Sequence, residues 1–211
     1  MELILLRHGK TAANLEHRYN GVTDDPLCEE GLSEARSTRA YPDIPLVYVS
    51  PLKRARQTAD ICFPNAEKTI VDSLREMNFG DFEGRTAQEM EHDSDYRAWV
   101  DGGCVEACPN GESIPSFAKR AMAAFDWVVR DARVRGLHRA GVTAHGGIIM
   151  AIMYGYSHTD VSYFDWYVEN CSGFRLVIDE TAWPKKPGFV SYELLGNHVE
   201  SQSMTGREIQ D

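Results

Sequence analysis

Long apolar runs are missing from this chain of 211 residues: the longest, Ile148 to Tyr154, falls far below the roughly 20 residues that a helix needs to cross a bilayer. No membrane partner is expected. The opening segment, Met1 to Leu6, is too short and too soon interrupted by Arg7 to be the hydrophobic region of a secretory signal, so a cytoplasmic location is the expectation. Cysteine is sparse. The five residues Cys28, Cys62, Cys104, Cys108 and Cys171 are odd in number and lack paired two-residue spacing, which predicts reduced thiols and no metal. Positive charge is also short: 22 basic against 32 acidic side chains leave a net charge of −10, which argues against nucleic acid as a partner. An anionic ligand must then be captured by a local cluster. No internal repeat is visible.

What is present is core material. With 43% hydrophobic and 10% aromatic residues the chain buries a sizeable interior, and its length fits a single domain over residues 1–199 with a polar tail at 200–211. Short apolar segments at Glu2–Leu6, Leu46–Val49 and Ala140–Ala144 read as strands covered on both faces, and Gly173–Ile178 and Phe189–Leu195 as later strands around the Trp183–Gly188 turn. Helical signals lie at Leu32–Tyr41, from Ser50-Pro51 (cap and first position) to about Cys62, at Ser113 to about Arg135, and after Gly147. This alternation predicts an α/β sandwich with a mostly parallel central sheet. In such sheets ligands bind outside the carboxyl ends of the strands. Three of those ends carry polar chemistry.

The first is Arg7-His8-Gly9-Lys10-Thr11 with Asn14, where the histidine has the chemistry of a nucleophile, a base, a ligand or a bystander. The second is Ser50 to Ala59, with Arg54 and Arg56 two positions apart and so facing different ways; one fits an oxyanion while the other meets solvent. The third is His145-Gly146-Gly147 at another helix amino end, a source of N–H donors for an anion. Two histidines and several arginines suit a phosphoryl group better than a metal, because the carboxylates of a dinuclear phosphatase are lacking.

Arg7-His8-Gly9 with Thr11 and Asn14, the Ser50–Ala59 segment, Leu74-Arg75-Glu76-Met77-Asn78-Phe79-Gly80-Asp81-Phe82-Glu83-Gly84, and Ala144-His145-Gly146-Gly147 together resemble the histidine phosphatase superfamily, the phosphoglycerate-mutase-like group. The motifs run in order from residue 3 to about 150. The resemblance implies a three-layer α/β/α sandwich with a mostly parallel central sheet, a metal-independent and cofactor-free phosphatase working through phosphohistidine, and a lid-like helical excursion about 77–118. It makes His8 the nucleophile, places Arg7, Arg54 and His145 in the phosphate pocket, adds Asn14, Asn20, Gly21 and Gly146 as substrate contacts, and makes Glu76 the proton donor. Glu83 is a rival acid in the same segment.

The substrate implied is a small-molecule phosphate ester. Asp95-Tyr96 with Trp99, then Pro109-Asn110-Gly111-Glu112-Ser113, resemble the α-ribazole-phosphate phosphatase branch, whose members dephosphorylate a nucleoside-like precursor of cobalamin. Tyr96 and Trp99 have two readings, base stacking or core. Glu112 has three: solvent, support of the site, or helix capping. Against a phosphoglycerate mutase stand Met77, where the mutases carry arginine, and the acidic stretch Thr86–Ala118, with Glu89, Glu91, Asp93, Asp95, Asp101, Glu106 and Glu112 against Arg97. A protein phosphatase, or a phosphate-recognition module without turnover, would also use such a pocket. Exposed tyrosine and tryptophan would suit a homodimer.

Overall fold

β1 (Glu2–Arg7) shows how the sequence sorts itself into layers. Successive side chains of a strand point to opposite faces, so Leu3 and Leu5 enter one apolar cluster and Ile4 and Leu6 another. All four are buried, each contributing about 1.5–3 kcal/mol. The computed structural model describes residues 1–196. After β1 come α1 (Ala12–Leu15), α2 (Glu29–Ser37), β2 (Leu46–Val49), α3 (Lys53–Cys62), β3 (Glu67–Ile70), α4 (Ser94–Asp101), α5 (Ile114–Val134), β4 (Arg139–Ala144), α6 (Gly146–Tyr156), β5 (Gly173–Ile178) and β6 (Phe189–Leu195). Single 3-10 turns lie at Asp72–Leu74, Gly80–Phe82 and Tyr163–Trp166.

The described strands form one sheet in the order β3-β2-β4-β1-β5-β6. β3 through β1 run parallel, and β5 pairs antiparallel with both β1 and β6. This is the mostly parallel α/β sandwich expected. α5 and α6 cover the Leu3 face, and α3 covers the Ile4 face with α2 packed against it. The tail at 200–211 and the end of the expected 1–199 domain lie outside the described residues.

Sheet order positions the site. β2, β4 and β1 are neighbours whose carboxyl ends stand in one row, since Arg7 pairs with Ala144 and Val49 with Thr143. The ladder continues past them: His8 N donates to the Ala144 carbonyl (3.0 Å) and Ser50 N to the Thr143 carbonyl (3.0 Å). His8, Ser50 and His145 are therefore brought together by strand pairing alone.

Two local expectations need correction, one strand went unannounced, and one open pair of readings is resolved. α3 starts at Lys53 rather than at Ser50-Pro51: its N-cap Leu52 makes no side-chain bond, and Asp24 accepts from Lys53 N at 2.7 Å instead. The helix expected at Leu32–Tyr41 occupies Glu29–Ser37; Cys28 caps it, two acids sit in its first turn, and Tyr41 is drawn out of it to stack on Phe63 at 5.4 Å. β3 has no apolar run to announce it, because an edge strand reading Glu-Lys-Thr-Ile is mostly exposed and its charges guard the edge. Tyr96 and Trp99 are core: both are buried, Tyr96 shares a hydrogen bond with Tyr19 (3.0 Å), and the Trp99 indole donates to the Glu106 carbonyl (2.9 Å).

The loop after β1 is held from behind by α2. Cys28 N donates to the Lys10 carbonyl at 3.0 Å, and a Cβ on Gly31 would overlap that same carbonyl oxygen. Helix propensity alone would make Gly31→Ala about 1 kcal/mol more stable. The close approach of backbone to backbone outweighs it, so urea unfolding of Gly31→Ala is expected to show a net loss of about 1–3 kcal/mol. A gain in stability would mean that the loop and helix part without cost.

Candidate active site

His8 follows β1 and His145 precedes α6, with ring centroids 5.1 Å apart and both rings buried. The Nδ1–H of His8 donates to the Gly9 carbonyl at 2.7 Å, which leaves Nε2 with its lone pair. Asn170 Nδ2 donates to the His8 carbonyl (2.9 Å), and Gly9 N donates to Thr58 Oγ1 (3.0 Å), so the histidine's backbone is fixed on both sides. His145 Nε2 meets Ser50 Oγ at 2.7 Å. The serine expected to cap α3 thus orients a site histidine.

The two arginines come from different elements, Arg7 from the end of β1 and Arg54 from the first turn of α3. Arg7 Nη1 donates to the Val168 carbonyl (2.7 Å), and its guanidinium lies over the Tyr167 ring at 5.1 Å. Arg54 is completely buried; Nη1 donates to the Thr23 carbonyl (2.6 Å) and Nη2 to those of Gly21 (2.6 Å) and Asn20 (3.3 Å). Arg56, two positions on, is exposed, as the spacing requires. Arg7 Nε, Arg54 Nε and His145 Nδ1 are buried without a hydrogen-bond partner in the protein. Unpaired buried polar groups cost about 1–3 kcal/mol each, so their gathering here marks a place built for a polar ligand.

Glu76 is buried against this group. Its carboxylate accepts from Gly147 N at the start of α6 (3.0 Å) and from Met77 N (3.0 Å). Desolvation raises its pKa above the usual carboxylate value, and the two N–H groups with Arg54 and Arg7 only partly offset that rise. Burial also holds the pKa of His8 well below 6.5, helped by the charges of Arg54 and Arg7. His145 is lowered likewise, by burial first and then by Arg54, His8 and Arg7. The site therefore pairs neutral imidazoles with a carboxyl that holds its proton above the ordinary range.

The remaining sequence candidates surround this centre. Asn14 closes a capping box with Thr11 at the start of α1, and Gly146 lies against Arg7. Asn20 and Gly21 hold Arg54 through their carbonyls, and a Cβ on Gly21 would overlap the Met77 carbonyl. Glu83 is occupied differently from Glu76: it accepts from Gly21 N (3.0 Å), Val22 N (2.9 Å), Thr23 Oγ1 (2.8 Å) and Phe79 N (3.1 Å). That carboxylate ties the 20–23 loop to the Glu76 segment. Beside Arg7 opens a cleft of about 490 Å³, walled by Leu15, Tyr19, Ala87 and Tyr167. Lys10, Arg18 and Glu169 also line it. Neither cation is free, since Lys10 pairs with Glu30 (2.7 Å) and Arg18 with Glu16 (2.6 Å) and Glu89 (2.9 Å). The acids at positions 86–118 are partly spoken for as well: Glu89, Asp93 and Glu112 pair with Arg18, Arg85 and Arg120. Among the described residues, no cluster of histidine, cysteine and carboxylate side chains has the make-up of a metal site, and no helix is long and apolar enough to cross a membrane.

The histidine shifts make stability depend on pH. Unfolded histidine takes a proton near pH 6.5 while buried His8 and His145 do not, so stability present above 6.5 is lost as pH falls from 6.5 toward the lower folded values. Each contributes a slope of about 1.4 kcal/mol per pH unit within that window. Urea unfolding at a series of pH values should show His8→Ala with a shallower acid-side loss than the wild type. Identical slopes would mean that His8 titrates normally in the fold.

The match to known proteins follows these residues. The model of the histidine phosphatase superfamily (branch 1) matches residues 3–186. The adenosylcobalamin/alpha-ribazole phosphatase of Salmonella typhimurium is 33% identical over 127 residues, 57% of this chain and 63% of the relative's length. Its Escherichia coli counterpart is 29% identical over 160 residues, 72% of this chain and 77% of the relative. The crystal structure of phosphoglycerate mutase from Thermus thermophilus superimposes with a TM-score of 0.66 at 30% identity, covering 93% of this chain and 99% of that one. The chain belongs to the histidine phosphatase superfamily, branch 1.

Proposed function

We propose that the protein is a phosphomonoesterase that hydrolyses a small phosphate ester through a phosphohistidine on His8. The observation that carries this reading is the burial of His8 within reach of the Arg54 and Arg7 charges with its Nδ1–H fixed on Gly9, which leaves a neutral Nε2 ready to attack. The donors of Arg7, Arg54 and His145 that lack protein partners take the equatorial phosphoryl oxygens, so catalysis rests on positioning and electrostatics. Asn14, Asn20, Gly21 and Gly146 are assigned as further substrate contacts.

In the first step the bond from His8 Nε2 to phosphorus forms as the ester P–O bond breaks, and Glu76 gives its proton to the departing alkoxide. In the second, a water oxygen attacks phosphorus, its proton passes to the Glu76 carboxylate, and the N–P bond breaks to release inorganic phosphate. Both steps use the raised pKa of a buried carboxyl.

The cleft beside Arg7 would receive the alcohol. Its wall of Leu15, Tyr19 and Tyr167 favours a flat, partly apolar group, and its size is that of a small-molecule site. Together with the names of the Salmonella and E. coli relatives, this favours α-ribazole 5′-phosphate as the substrate. Lys10 and Arg18 are already paired, so the cleft offers a second phosphate no free clamp, and hydrolysis is favoured over bisphosphate-dependent mutase chemistry.

Rapid mixing with a radiolabelled phosphate ester tests the mechanism. The expected result is acid-labile label on the wild type and none on His8→Ala; turnover by His8→Ala would overturn the reading. For the acid, Glu76→Gln should lower kcat/KM for an alkyl phosphate by roughly 10²–10⁴-fold and affect an activated aryl phosphate far less, because the better leaving group needs no proton. Equal losses would move the acid role elsewhere.

A further inference from the structure

Glu76 sits in a stretch without regular secondary structure, between the 3-10 turns at Asp72–Leu74 and Gly80–Phe82. No ladder satisfies the backbone there, so something else must hold it. One side chain on α5 does most of this. Arg120 Nη1 donates to the carbonyls of Ser73 (3.0 Å) and Arg75 (2.8 Å), and Nη2 donates to the Glu76 carbonyl (3.2 Å). Its remaining N–H groups go to Glu112, Nε to Oε1 (3.0 Å) and Nη2 to Oε2 (2.7 Å). Glu112 in turn grips Asn78: its Oε2 accepts from Asn78 N at 2.9 Å, and its own N–H donates to the Asn78 carbonyl at 2.8 Å.

We infer that Arg120 and Glu112 are positioning residues for the Glu76 acid, fixing the backbone on both sides of it so that its carboxyl reaches the leaving oxygen. The same helix supports the other end of that carboxyl. Arg120 lies over the Phe117 ring at 5.1 Å, and that ring packs against Gly147, whose N–H holds Glu76 Oε2. Arg120 lines a separate groove with Val71, Ser73 and Trp127, not the cleft beside Arg7, so it acts through Glu76 rather than on substrate. A partly buried ion pair is a poor device for stability, since apolar side chains of similar volume often serve as well or better. Its planar fork is suited to fixing three carbonyls and a carboxylate at set angles. Misplacing a catalytic group by about 1 Å can cost 10²-fold in rate.

The inference rests on Glu76 being the proton donor, and the test separates the two. Arg120→Lys keeps the charge and removes the fork; Glu112→Gln keeps the shape and removes the charge. Both are compared with wild type by kcat/KM on n-propyl phosphate and on 2,4-dinitrophenyl phosphate, with thermal melting to confirm folding. The expected result is a loss of about tenfold or more on the alkyl ester and less than twofold on the aryl ester, with Arg120→Lys adding nothing further in a Glu76→Gln background. Equal losses on the two esters, unchanged rates on both in folded variants, or a multiplying loss in the Glu76→Gln background would overturn the inference alone. If Glu76→Gln itself fails to separate the esters, the acid assignment falls and takes this inference with it.

Discussion

Two guanidinium groups, Arg54 fully and Arg7 partly buried, and two buried imidazoles occupy the same small volume, and much of the molecule is arranged to make that tolerable. Arg54 is sealed from water and could not stay charged there unaided; the carbonyls of Asn20, Gly21 and Thr23 answer its two terminal nitrogens. Arg7 receives the Val168 carbonyl and the face of Tyr167. Burial first, and then the positive charge that remains, keeps His8 and His145 unprotonated, which is the state a nitrogen nucleophile requires. One electrostatic constraint thus sets both the anion affinity of the pocket and the reactivity of its histidine.

Carboxylates then divide the labour by environment. Glu83, with four donors around it, is a structural acceptor that fastens the loop beneath Arg54. Glu76, more deeply buried and with two, is the one whose proton is held more tightly than usual. Glu112 is pushed up by burial, but the hydrogen bonds of Arg120 and Asn78 N prevail and keep it ionised. Three acids within a short stretch of chain do three different things because their neighbours differ, not because their chemistry does.

The sequence made the sheet legible wherever burial is two-sided. Leu3–Leu6, Leu46–Val49 and Ala140–Ala144 announce themselves as apolar runs, and the polar residues that follow each of them converge because parallel neighbours end on one side. β3 was illegible for the opposite reason, since an edge strand carries no apolar pattern. Ser50 misled because serine before proline is a good local cap, and its bond to His145 crosses 95 positions of sequence. The acidity of Thr86–Ala118 read as a repelling lid, yet Glu89, Asp93 and Glu112 are neutralised by Arg18, Arg85 and Arg120, none of which lies in that stretch. Tyr96 and Trp99 could be placed in the core only once Tyr19 and Phe82 were seen packed against them.

Part of the cleft beside Arg7 is built of residues that the anion cage does not need. Leu15 and Ala87 are exposed, and neither side chain carries a hydrogen bond that supports His8, Arg54 or Glu76. Natural selection can therefore rewrite which alcohol is recognised, one wall residue at a time, while the bond-breaking apparatus is inherited intact. A family built on this plan diversifies by retailoring its doorway rather than by reinventing its engine.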